Sequence, residues 1–114
     1  MAPKTLLVTL ALASGALSAV TGTFARYLGG NCSVLAGTNT IVENSCFNIE
    51  GFPYTGFAGA VVSGACEDAS KTPTLNLYLD PGCETNFFTS FTMGAEEQCV
   101  TEAGSVQSAT LVCA

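Results

Sequence analysis

Six cysteines stand at positions 32, 46, 66, 83, 99 and 113 of a 114-residue chain, and no two are closer than 14 residues. An even count without a CxxC pair reads as three disulfides, because zinc knuckles and thioredoxin-like sites need two sulfurs within one tight turn. Cys32, Cys46, Cys66, Cys83, Cys99 and Cys113 are therefore expected to be bridged, in a chain that matures in an oxidising compartment. The spacing does not choose among the many pairings that six cysteines allow.

The amino end points the same way. Residues 1–19, MAPKTLLVTLALASGALSA, run from a cation at Lys4 through an apolar stretch at 6–13 to small residues. That is the layout of a secretory signal peptide. The apolar stretch falls short of the ~20 residues needed to cross a bilayer, so no transmembrane segment is expected. Cleavage is expected after Ala19, with a cut after Gly22 as the other small-residue site. Residues 20–114 are then a single disulfide-rich β domain, secreted to the extracellular space.

Charge and composition exclude several functions. With 3 Lys+Arg against 9 Asp+Glu, the chain lacks the clustered cations that neutralise phosphate, so no nucleic-acid partner is expected. With no His, it lacks Ser-His and Cys-His nucleophile systems and imidazole metal sites. No cofactor motif is present.

The polar stretch 67–73, EDASKTP, divides the chain into halves with three cysteines each. Three is odd, so if all six pair, either one or three bridges must join the halves. The halves also align: ARYLGGNC at 25–32 matches NLYLDPGC at 76–83 in Tyr, Leu and Cys, at an offset of 51. Gly29-Gly30-Asn31 and Asp80-Pro81-Gly82 supply turn residues at the same point. This defines two expected repeats, about 23–66 and 74–113.

The periodicity is that of strands. Residues 74–79 alternate Leu75, Leu77 and Leu79 with Thr74, Asn76 and Tyr78, a half-buried strand. Aromatic and β-branched residues extend the pattern over 86–93, and a further strand is expected over 105–112. In the first half, 23–28, 40–43, 45–49 and 56–63 are the strand segments. No segment carries a capped 3.6-residue stripe, so no long helix is expected. Short strands spaced by about ten residues predict an all-β, disulfide-stapled Greek-key sandwich built of two pseudo-repeats.

At Tyr78-Leu-Asp-Pro-Gly-Cys83 and Ser105-Val-Gln-Ser-Ala109 the second half resembles a βγ-crystallin Greek-key motif. In that family a strand ends in an aromatic, a turn and a second aromatic follow, and a serine-bearing strand comes later. Two such motifs make a domain. Here Cys32 and Cys83 stand where the second aromatic would be, and Val34 and Thr85 where the family has Gly. Calcium-binding members carry Asn/Asp ligands before the serine strand. Residues 103–108 and 56–63 hold no carboxylate, so the resemblance implies no metal site. The chain as a whole resembles fungal small secreted cysteine-rich proteins, a class with effector-like members and βγ-crystallin-like killer toxins.

Three site readings follow. Asn31-Cys32-Ser33 fits the glycosylation rule, so Asn31 is a candidate glycan acceptor; alternatively it is a left-handed turn residue. Phe52, Tyr54 and Phe57, set among Gly and Pro at 51–59, would form a partner-binding or sugar-stacking surface, or fold back over a small core. Asp80 and Glu84, with the pairs Glu67-Asp68 and Glu96-Glu97, are the carboxylates a small glycosidase would need.

The leading expectation is a secreted, non-enzymatic binding protein of effector or toxin type, acting on an extracellular protein or polysaccharide of a host or a competing microbe. Alternatives are a structural, wall- or surface-associated module and a carboxylate-only glycosidase.

Overall fold

A computed structural model describes residues 18–114; most of the expected signal segment, residues 1–17, lies outside the described residues. The described residues are all-β, with eight strands among them: β1 Thr21–Tyr27, β2 Leu35–Val42, β3 Cys46–Asn48, β4 Gly56–Ser63, β5 Pro73–Tyr78, β6 Phe87–Thr92, β7 Gln98–Val100 and β8 Ser108–Cys113. The single helical element among the described residues is one 3₁₀ turn, Gly30–Cys32. No helix among them is long and apolar enough to cross a membrane.

Two four-stranded antiparallel sheets form, in the orders β2-β1-β4-β7 and β3-β8-β5-β6. Each takes three strands from one half of the chain and one from the other. β7 adds to β4 at Phe57↔Val100, and β3 adds to β8 at Phe47↔Ala109. Both exchanged strands have only three residues, so each depends on the opposite half for its hydrogen bonds.

The alternating leucines of β5 explain where the core lies. Leu75 and Leu77 point inward with Ala109 and Leu111 of β8, and meet Phe24, Ile41 and Phe57 from the first sheet. All these side chains are buried, and Val20, Val106 and Met93 close the layer. Gly59 lets the sheets approach, because a Cβ there would stand 2.9 Å from both Leu75 Cδ1 and the Thr23 carbonyl oxygen.

Three disulfides staple this layer: Cys32–Cys99, Cys46–Cys83 and Cys66–Cys113, and no cysteine is free. Of the two numbers the odd count allowed, the structure has three, since every bridge joins one half to the other.

Several expected segments shift. Residues 56–63 form β4 as expected, but the strand expected at 40–43 begins at Leu35, and the one expected from 105 begins at Ser108. Leu79 falls outside β5, one residue beyond the last ladder pairs at Tyr78↔Phe87 and Tyr78↔Ser108. β7 was not foreshadowed by any pattern.

Candidate binding surface

The hairpin turns after β1 and β5 are built on left-handed backbone. Asn31 and Cys32 have φ of 57° and 53°, and Gly82 and Cys83 have 96° and 58°. Asn and Gly tolerate this region, whereas Cys does so at a cost of about 1 kcal/mol or more. Hydroxyl clamps hold both turns. Ser108, fully buried, donates from Oγ to the Asp80 carbonyl at 2.6 Å and accepts from Cys83 N at 3.0 Å. At the other turn Thr55 Oγ1 donates to the Gly29 carbonyl at 2.9 Å. Its neighbour Gly56 packs tightly on the disulfide, since a Cβ there would lie 3.0 Å from Cys32 Sγ.

The first turn carries an apolar rim. Leu28, Val34 and Leu35 are 46%, 53% and 58% exposed. Leu28 N donates to the Val34 carbonyl at 2.8 Å, and Leu35 pairs with Tyr27. Phe52, 50% exposed, comes three residues before Thr55, which is tied to Tyr27 and Gly29 at the same end of the sheet.

The expected aromatic surface needs correction. Phe57 and Tyr54 are core residues, and only Phe52 faces solvent. Phe57 begins the inner face of β4, stacks on Phe24 and meets Tyr54 and Phe88 edge-on. Tyr54 turns inward because its hydroxyl finds the Glu50 carbonyl at 2.7 Å and its backbone bridges to Gly104. A buried phenol with its hydrogen bond made costs little, so the ring contributes its apolar area to the core.

Asn31 is exposed, and its backbone is the left-handed turn that the sequence allowed. Asp80 holds its turn together: its Oδ2 accepts from Thr85 Oγ1 at 2.9 Å and from Asn86 Nδ2 at 2.7 Å, while Glu84 is exposed on the same turn. Among the carboxylates, Asp68 is held below its usual range by hydrogen bonds from the side chain and backbone of Ser70. Among the described residues no group of three His, Cys, Asp or Glu side chains is arranged to hold a metal. A hollow of about 560 Å³ opens at the far end of the first sheet, between Val61, Val62, Gly64, Cys66, Lys71 and Met93.

The sequence did not single out the Ser108 and Thr55 clamps or the Leu28–Val34–Leu35 rim. The serine-bearing strand of the crystallin resemblance was the available pointer to Ser108; nothing local marked the rim. Compared with protein families, curated proteins and solved structures, the chain matches none.

Proposed function

We propose that this chain is a secreted, non-enzymatic binding protein of effector or toxin type, built from two βγ-crystallin-like Greek-key repeats. The observation that carries the build is the disulfide pattern under the 51-residue alignment. Exchanging Cys32 with Cys83, Cys46 with Cys99 and Cys66 with Cys113 turns Cys32–Cys99 into Cys83–Cys46 and leaves Cys66–Cys113 unchanged. Exchanging β1–β4 with β5–β8 likewise turns one sheet order into the other. The slips of the two hairpin ladders agree, at Arg26/Tyr27 and Leu77/Tyr78. Such a coincidence of bridges, strand order and bulges supports a duplication.

Three bridges between the halves support an oxidising, extracellular workplace. The exposed rim of Leu28, Val34 and Leu35 near Phe52 is the surface that binds, since a small charge-poor protein has few other ways to hold a partner. The target is an extracellular protein or polysaccharide of a host or a competing microbe.

The test is to express the full chain in a secreting host and assay the oxidised product on microbial and host cells and on chitin and glucan. Binding or toxicity that Leu35→Asp and Phe52→Ser both abolish, with melting unchanged, is the expected result. Hydrolysis of a glycan that is lost in Asp80→Asn or Glu84→Gln would replace this reading with an enzyme. Binding to wall polymer alone would favour a structural module.

A further inference from the structure

The first described residues of the fold set a side-chain carboxylate on a backbone nitrogen. Val20 is fully buried, and its N–H donates to Glu43 Oε1 at 3.0 Å while Glu43 N donates back to the Val20 carbonyl at 2.8 Å. Ser18 and Ala19, immediately before it, are exposed. A side-chain carboxylate is thus held against the nitrogen of the first core residue.

We propose that cleavage between Ala19 and Val20 creates an α-ammonium that forms a partly buried ion pair with Glu43 and locks the amino end of β1 into the fold. This rests on the secretory reading given above. Hydrolysis adds one water across the amide: Ala19 leaves with the new carboxylate, and Val20 keeps the amine, protonated at neutral pH. The nitrogen already lies within hydrogen-bond distance of Glu43, so the new charge arrives on its counter-charge without rearrangement.

The alternative cut after Gly22 does not fit the fold. It would remove Val20 from the core and take away Thr21 and Gly22, which pair with Val42 and Ile41 on one side and Ser63 and Val61 on the other.

Local charge favours the same assignment. Glu43 lines a small hollow with Glu67, Asp68 and Lys71, three carboxylates against one cation. β8, which bridges to Glu43 at Leu111, brings no titratable side chain, β4 brings none, and the one charged residue of β1, Arg26, lies towards the strand's other end. The new α-ammonium stands beside Glu43, one of those three carboxylates.

The ion pair has a clean pH signature. The chain has no His and all six cysteines are bridged, so near pH 7–9 the α-amine is the one group whose ordinary range is crossed. Glu43 raises the amine's pKa in the folded state. The stabilisation is therefore complete below the unfolded amine's pKa and is lost as pH rises through the folded one.

The experiment expresses the full chain in a secreting host, reads the product's amino-terminal sequence and mass, and follows its melting from pH 6.5 to pH 9.5. The expected product begins at Val20 and melts roughly 4–8 °C lower at the alkaline end, the shift of a modest ion pair in a domain of this size. Glu43→Gln, which keeps an acceptor but no charge, is expected to flatten that profile. A product that begins at Thr23 overturns the proposal and leaves secretion standing. A product that begins at Val20, with the same profile in wild type and Glu43→Gln, overturns the ion pair alone. A chain retained in the cell with residues 1–19 attached overturns both this proposal and the secretory reading.

Discussion

Ser108 and Cys83 stand 25 residues apart, yet the serine hydroxyl accepts the Cys83 amide proton at 3.0 Å and donates its own to the Asp80 carbonyl. The left-handed turn that ends β5 is therefore held by a buried side chain on β8. The same hydroxyl also secures the approach of Cys83 to Cys46, one of the three bridges between the halves.

Replacing that hydroxyl should cost more than a surface hydrogen bond. Ser108→Ala leaves the Cys83 N–H and the Asp80 carbonyl without their partner in a partly buried setting. About 1–3 kcal/mol of destabilisation is expected in urea unfolding. A change within the error of the fit would show that water replaces the hydroxyl.

The close approach of the sheets at Gly59 gives a steric test. In Gly59→Ala the new methyl meets the Thr23 carbonyl, a backbone atom that cannot swing aside, as well as Leu75 Cδ1. A loss of about 1–3 kcal/mol is expected. Gly94→Ala is the control, since nothing lies within 4 Å of its Cβ position. Its melt should stay within about 0.5 kcal/mol of wild type.

Non-reducing peptide mapping should recover Cys32–Cys99, Cys46–Cys83 and Cys66–Cys113 and no free thiol. Removing Cys32–Cys99 as a double alanine variant should cost roughly 2–5 kcal/mol. That bridge closes the longest segment, a separation of 67 against 37 for Cys46–Cys83, so in the chain-entropy view its loss is the larger of the two. A reversed order would point to native contacts rather than chain entropy.

Tyr27 and Glu97 tie the end of β1 to the approach to β7, with the phenol donating to Glu97 Oε1 at 3.3 Å. Partial burial raises the Tyr27 pKa, and the nearby Glu97 charge and hydrogen bond add to the shift. Because the folded value is the higher one, the contribution is complete below the phenol's ordinary value and is lost as pH rises through the folded value. Ultraviolet titrations of wild type and Glu97→Gln should differ by one phenol, Tyr27, which ionises earlier in the variant. An unchanged titration in that variant would leave burial as the whole cause.

Much of the local structure was legible because it is written in nearest neighbours. Leu75 and Leu77 alternate with polar residues, and that alternation holds for any partner strand. The three-residue β7 is too short for any period to declare itself, and it exists because Phe57–Gly59 of the other half offer it a ladder. At 51–59 the three aromatics were legible as a group, but which rings are buried was decided at a distance. Phe24 and Phe88 receive Phe57, while Glu50 and Gly104 receive Tyr54.

By itself the sequence determined that the chain is all-β, that its cysteines are bridged and that those bridges join its halves in odd number. These follow from residue type, count and period. Only the tertiary structure decided that all three bridges cross between the halves, that each half lends a strand to the other's sheet, and that Val20 lies against Glu43. Those outcomes depend on backbone hydrogen bonds and packing between segments tens of residues apart. A ladder bond is much the same for every side chain, so the sequence carries little mark of which strand receives it.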